Sequence, residues 1–368
     1  MTDLAAMDVA GRLPRLRDRL DDAGCDALLV THLTNIRYLT GFTGSAALLL
    51  VLPDELVFVT DGRYGDQSAE QLAANGVEAR IEVTGTEQDA RLADAARGIA
   101  RVGLEATHVT WAAKRRYAAK VFDGATLVPV DGVVEGLRRV KDPGEIARIE
   151  AACRIADEAL AAVLPRLAEE PEERGFGLEL DTTMRRLGAA DVSFETIVAS
   201  GPNGAKPHAR PTERRVQEGD LVVIDFGALV DGYHSDMTRT VSIGEPSPAQ
   251  RRMDEVVRAA QAAGVAAVRP GVTGADVDQV CRSIIAEAGW AEAFLHGTGH
   301  GVGLDIHEDP RVSTTGTATL EPGHVVTVEP GVYLPEHGGV RIEDTVVVTP
   351  DGCRPLTHAP KDLVLRWH

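Results

Sequence analysis

Positive charge is scarce in this chain: 38 lysines and arginines stand against 56 aspartates and glutamates, a net charge of −18 at pH 7. A nucleic-acid groove or a surface for anionic lipid wants clustered Lys and Arg, so the balance argues against both as partners. Long apolar runs are missing too. The longest, Ala46–Leu52, stops at Pro53 and is far too short to span a bilayer. The opening Met1-Thr2-Asp3-Leu4 has no basic region followed by an apolar stretch, so the expectation is a cytoplasmic protein without a secretory leader. Cysteine is sparse: Cys25, Cys153, Cys281 and Cys353 are scattered, with no Cys-x-x-Cys pair. Isolated, structural thiols in a reducing compartment fit this better than a disulfide framework. No short-period repeat and no low-complexity linker interrupts the chain.

What is present is a core-forming composition, 44% hydrophobic over 368 residues, a length at which one core usually gives way to two domains. The first third alternates strand-like runs (Ala27–Val30, Ala46–Leu52, Val57–Thr60, Val102, Leu127–Val130) with helical stretches near Gln67–Ala74, Gln88–Ala96 and Trp111–Lys120. Leu13, Leu16 and Leu20 share one helical face, and Gly24 supplies a stop. This pattern predicts an α/β domain over residues 1–131. After Asp131 the texture changes. Asp142-Pro143-Gly144-Glu145 combines an N-cap, a proline at the first helical position and a glutamate three residues after the cap. The helix it opens is expected to reach about Leu164. Two more such starts follow at Ser247 and Thr273, with strands expected at Val192–Ala199, Leu221–Ala228, Asp236–Ile243, Val325–Glu329 and Val340–Val348. Helices flanking an antiparallel sheet predict an α+β domain over 132–368.

Chemistry concentrates in the second domain. Asp225 interrupts the apolar strand Leu221-Val-Val-Ile, where an ionised carboxylate is costly unless paired or bound to a metal. Asp231-Gly232 is a strong signal for a two-residue hairpin turn. With that turn, paired residue numbers sum to 463, so Asp225 falls opposite Thr238 and Gly227 opposite Asp236. Asp225 and Asp236 then become diagonal neighbours on one face, roughly 7–8 Å apart at the backbone. Singly, each would be an ordinary strand-end or turn residue. A second pair shifts the balance: Glu329 ends the apolar run Val325-Val-Thr-Val, and Glu343 lies within Gly339-Val-Arg-Ile-Glu-Asp. Four acids in a sheet repel one another, and two divalent ions would neutralise them.

Histidine completes the set. His296-Gly-Thr-Gly-His300-Gly-Val-Gly-Leu-Asp-Ile-His307 is too rich in glycine for a continuous helix, and its glycines permit close backbone approach. A lone loop histidine is usually a surface residue; three in one such stretch, with His208 after Pro207, favour an active site. Carboxylates with one imidazole suit Mn²⁺, Co²⁺ or Zn²⁺, and two ions roughly 3.5–4 Å apart would activate a shared water at neutral pH.

These motifs, with Asn35-Ile-Arg-Tyr-Leu-Thr-Gly-Phe-Thr-Gly and Thr60-Asp-Gly-Arg-Tyr64 in the first domain, resemble the Xaa-Pro aminopeptidase and prolidase family. Its catalytic domain has the pita-bread fold, and the resemblance covers essentially the whole chain. It implies two divalent ions, Mn²⁺ foremost, held by Asp225, Asp236, His300, Glu329 and Glu343. In that pattern Asp236 and Glu343 bridge or chelate the pair, His300 and Glu329 serve one ion and Asp225 the other. Glu329 is implied as general base, and His208 and His307 as the residues that bind substrate and stabilise the oxyanion. Arg341 is implied to orient ligand carboxylates, and His296 to lie near the substrate. The implied substrates are small peptides with proline at the second position, and family members are commonly homodimers. Aminopeptidase action is the leading expectation, ahead of a strict Xaa-Pro dipeptidase. A non-catalytic peptide-binding module on the same fold is a third reading, against which the intact ligand set argues.

Overall fold

The structure is a computed structural model and describes residues 4–364. It forms two compact units, one of residues 7–138 and one from Arg139 onward together with the short segment before Met7. The first is built on a six-stranded mixed sheet: β1 Ala27–Val30, β2 Ala47–Val51, β3 Leu56–Thr60, β4 Arg80–Val83, β5 Arg101–Glu105 and β6 Thr126–Val130. The strand order is β4-β3-β2-β1-β5-β6. β1, β2 and β3 pair antiparallel, whereas β1, β5 and β6 run parallel, as do β3 and β4. Helices α1 Arg12–Arg17, α2 Leu33–Thr40, α3 Gly65–Ala74, α4 Gln88–Ala95, α5 Trp111–Lys120 and α6 Val133–Arg138 complete this unit. β1 is an unbroken apolar run, buried throughout at the centre of the sheet, whereas the outer strands β4 and β6 mix polar with apolar residues.

The second unit contains four long helices, α7 Pro143–Val163, α8 Glu173–Arg186, α9 Pro248–Ala267 and α10 Gly274–Glu287. Three begin at reciprocal capping boxes on Asp142, Ser247 and Thr273, each contributing about 1 kcal/mol to its helix end. The strands are β7 Asp191–Val192, β8 Ile197–Ser200, β9 Leu221–Phe226, β10 Ala228–Val230, β11 Tyr233–His234 and β12 Met237–Ser242. After α10 come β13 Gly299–Gly301, β14 Glu308–Val312, β15 Val325–Val328, β16 Gly331–Leu334, β17 Gly338–Arg341, β18 Asp344–Thr349 and β19 Gly352–Pro355. One apolar core joins α7 and α8 to β9, β10 and β12, and another joins α9 and α10 to β15, β16, β17 and β18. No described helix is long and apolar enough to cross a membrane.

Two long hairpins organise the strands, and each is broken in the middle. In the first, residue numbers sum to 463 from Leu221 opposite Ser242 to Val230 opposite Tyr233. Its turn residues Asp231 and Gly232 both have left-handed φ, 47° and 77°, as a type I′ turn requires. The break falls at Gly227, where a Cβ would sit 1.9 Å from the Ser235 carbonyl oxygen; only glycine lets the chains approach so closely. In the second hairpin the sum is 672, from Val325 opposite Val347 to Leu334 opposite Gly338. Its break is at Glu329-Pro330 on one arm and Ile342-Glu343 on the other.

These breaks divide three expected strands, and one expected helix proves shorter; the strand expected at Leu221–Ala228 is cut at Gly227 into β9 and β10. The strand expected at Val340–Val348 is two strands, because β17 pairs with β16 and β18 with β15 and β19. The strand expected at Val192–Ala199 likewise divides into β7 on β10 and β8 on β9, crossing the same break as Gly227. The first helix ends at Arg17, and Leu20 reaches the core from the turns that follow.

Candidate active site

The interruptions in the two hairpins are where the carboxylates emerge. Threonines of β12 stitch the hairpins together: Thr240 Oγ1 donates to the Arg341 carbonyl at 2.9 Å, and the Glu343 N–H donates to the Thr238 carbonyl at 3.2 Å. Asp225 lies opposite Thr238, as the hairpin turn predicts. One oxygen from each of Asp225, Asp236 and Glu343 lies within 4.8 Å of the others. His300 Nε2 stands 3.5 Å from Asp236 Oδ2 and 3.5 Å from Glu329 Oε1. Asp225, Asp236, His300, Glu329 and Glu343 therefore converge on one place. Together with His208, His296, His307 and Arg341 they line a single cavity of about 510 Å³.

Electrically, the cluster is incomplete. Asp236 and Glu343 are buried, 5% and 1% exposed. Burial, then the neighbouring carboxylates, push both well above the ordinary carboxylate range. Burial likewise raises Glu329 to about 8, against the opposing pull of Arg341. Asp225 Oδ1 and Glu343 Oε1 are buried with no hydrogen-bond partner among the described residues. The His300 Nδ1 donates to the Gly301 carbonyl at 3.0 Å, which leaves the Nε2 lone pair aimed at two carboxylates. Burial, then His307, lowers His300 to about 4, so at neutral pH no imidazolium offsets them. Orphaned carboxylate oxygens and an unprotonated nitrogen facing one point are a donor set that fits divalent cations.

The other predicted residues surround this cluster. Arg341, 3% exposed, reaches Asp225 Oδ2 at 2.6 Å, Thr238 Oγ1 at 3.0 Å and the Tyr333 hydroxyl at 2.9 Å. His296 donates from Nδ1 to the Gly297 carbonyl at 2.8 Å and accepts at Nε2 from the Tyr333 hydroxyl at 2.8 Å. The His307 ring meets that of His300 edge to face, centroids 4.4 Å apart; burial, then Arg311, holds its pKa below the usual histidine range. His208 is exposed at the cavity rim.

Sequence reasoning missed three supports. Tyr333 links His296 to Arg341. Thr238 Oγ1 donates to Glu343 Oε2 at 2.8 Å. Thr327, two residues before Glu329 and so on the same strand face, accepts the His300 N–H at 3.1 Å. The period-2 rule and the hairpin register could have found both threonines. Arg311, which also lines the cavity, escaped notice because no motif marks it.

Residues 147–350 match the model for metallopeptidase family M24, and residues 12–140 match the creatinase/prolidase N-terminal domain. Fold and matches together define a metal-dependent peptidase. The chain belongs to the M24 metallopeptidases, among the Xaa-Pro peptidases of pita-bread fold, and divalent metal ions come with that membership. It is 44% identical to the uncharacterized peptidase YqhT of Bacillus subtilis, over 96% of this chain and 99% of that one. Identity to an Xaa-Pro dipeptidase of Pyrococcus horikoshii is 35%, over 97% and 100%. Among solved structures, an Xaa-Pro dipeptidase from Bacillus anthracis superposes with a TM-score of 0.93 at 38% identity, covering 97% of this chain and 100% of that one. An X-Pro aminopeptidase from Thermotoga maritima gives 0.87 at 35%, covering 95% and 100%.

Proposed function

We propose that this chain is a two-metal Xaa-Pro dipeptidase, releasing proline from a dipeptide. The observation that carries the peptidase reading is the convergence of five ligand side chains, two with orphaned buried oxygens, on the floor of one cavity. Asp225, Asp236, His300, Glu329 and Glu343 would hold the ions, with Mn²⁺ the first choice. Bound there, the ions supply Lewis-acid polarisation of the scissile carbonyl and a water acidic enough to act at neutral pH. Arg341 keeps Asp225 in place. Glu329, placed beside His300 on the cavity floor, takes the proton of the attacking water and returns it to the departing nitrogen. His307 and His208 donate to the carbonyl oxygen as it gains charge, each contributing on the order of 3 kcal/mol of transition-state stabilisation. A cytoplasmic homodimer is the expected working form.

Sequence alone puts the aminopeptidase first; relatives that act on dipeptides, and Arg311, favour reversing that order. Arg311 lines the same cavity and has no ion pair among the described residues. A dipeptide places its terminal carboxylate one residue past the cleaved bond, where such a guanidinium can hold it. A longer peptide presents a neutral amide there. The aminopeptidase reading keeps its own support in the Thermotoga maritima neighbour. Hydrolysis of Gly-Pro, Ala-Pro and Ala-Pro-Ala by the Mn²⁺-reconstituted protein, each beside Glu329→Ala, separates the two. Cleavage confined to the dipeptides, with KM raised by Arg311→Gln, is expected. Equal release of alanine from the tripeptide would return the aminopeptidase to first place.

A further inference from the structure

The unit of residues 7–138 holds a second convergence of metal-binding side chains. β1, β5 and β6 are adjacent parallel strands, and the chain leaving each one carries a candidate ligand. His32 comes two residues after β1, His108 three after β5, and Glu135 lies in α6, which follows β6. The carboxyl edge of parallel strands is where open α/β sheets place ligands, because diverging connections leave a crevice there. One nitrogen from each imidazole and one oxygen of Glu135 lie within 4.8 Å of one another. The two rings stack with centroids 3.6 Å apart and planes 11° from parallel. His108 Nε2 is 3.8 Å from Glu135 Oε1.

Neighbouring groups hold these three in place. Asn35 Nδ2 donates to Glu135 Oε1 at 2.7 Å and to Glu105 Oε1 at 2.8 Å, while its Oδ1 accepts from Arg138 Nη1 at 2.8 Å. Glu105 Oε2 accepts the backbone N–H groups of Thr31 and His32 at 2.6 and 2.8 Å, pinning the main chain that carries the His32 ring.

We propose that His32, His108 and Glu135 bind one divalent transition-metal ion of the zinc type, with none of the proposed catalytic ligands involved. Two imidazoles and one carboxylate make a donor set zinc accepts, with water to complete the coordination. The stacked rings splay by side-chain rotation so that both lone pairs meet the ion. Asn35 serves as the outer partner that aims the carboxylate. The ion would tie together three connections of the sheet and raise the thermal midpoint of the chain.

Zinc content of the full-length protein, loaded with Zn²⁺ and freed of excess by gel filtration, tests this against a His32→Gln/His108→Gln chain. The double variant should hold one equivalent less while keeping peptidase activity after metal loading. The same one-equivalent difference is expected in an Asp236→Asn/Glu343→Gln background, where the acid cluster is crippled. Circular dichroism of each chain separates ligand loss from unfolding. Should the glutamine variant misfold, Zn²⁺-induced shifts of the His32 and His108 ring signals in the wild-type NMR spectrum decide the matter. Equal zinc content with and without the two histidines, or ring signals unmoved by Zn²⁺, overturns the site and leaves the stack as packing alone.

Discussion

Glu343 and Asp344 are consecutive and both buried, 1% and 3% exposed, yet their carboxylates end in opposite circumstances. Asp344 accepts from Arg239 Nη2 and Thr357 Oγ1, each at 3.0 Å, from Gln261 Nε2 at 2.9 Å, and from Lys361. Glu343 accepts from Thr238 and keeps one oxygen with no partner among the described residues. Thr238 and Arg239, also consecutive, make the same division: the threonine serves the acid cluster, the arginine the ion network. One face of the strand pair carries a buried cluster whose charges are met within the protein. The other carries four carboxylates that share a single buried guanidinium. Burial and charge alone do not distinguish structural from functional polar groups; completeness does.

The contrast is broken most forcefully by neutralising one residue on each face. Asp236→Asn should lower peptidase activity by more than the roughly 10–100-fold typical of outer partners, without destabilising the metal-free protein, because it removes a like charge. Steady-state assays and urea unfolding of the metal-free chain check both halves. Asp344→Asn should do the reverse. It leaves Arg239 buried without its carboxylate and should cost about 3–5 kcal/mol of stability, read as a lower urea midpoint.

The two faces should also respond differently to pH. Glu329 in the metal-free protein is raised from 4.5 to about 8, and Asp236 and Glu343 are raised as well. A carboxyl with a raised folded-state pKa binds more protons folded than unfolded. Its contribution is therefore fully present below its unfolded value and is lost as pH rises towards 8. The metal-free wild type should lose stability between pH 5 and pH 8 relative to Glu329→Gln. Added Mn²⁺ should cancel the difference. A flat comparison across that range would mean the acids are better compensated than the geometry indicates.

How much of this was legible beforehand follows from the range of the interactions concerned. The Asp231-Gly232 turn is local, so its register placed Asp225 opposite Thr238 correctly. Capping boxes at Asp142, Ser247 and Thr273 are equally local, and all three formed. Helices α2 and α8 went unread; neither opens on a side chain that caps it, a lack they share with α3 and α4, whose helical stretches were read from their pattern alone. The breaks that divide β17 from β18 and β7 from β8 were missed for another reason: a strand changes partner where distant chains cross, and an apolar run carries no mark of that. Tyr333 was invisible on the same ground, since its role arises only where β16 meets Arg341 and His296.

Among the supports, Arg341→Lys should have the larger effect. A lysine cannot span Asp225, Thr238 and Tyr333 at once, and activity should fall about 10–100-fold with little change in stability of the metal-loaded form. Tyr333→Phe is the gentler probe. It removes only the hydroxyl that accepts from Arg341 and donates to His296, so both lose a neighbour while Asp225 keeps its guanidinium. Loss of one such hydrogen bond corresponds to about 0.5–1.5 kcal/mol, hence a several-fold fall in kcat/KM. If His296 touches substrate, the fall should appear in KM. If Tyr333 acts only by steadying Arg341, it should appear in kcat and diminish in an Arg341→Lys background, a double-mutant cycle that separates the two routes.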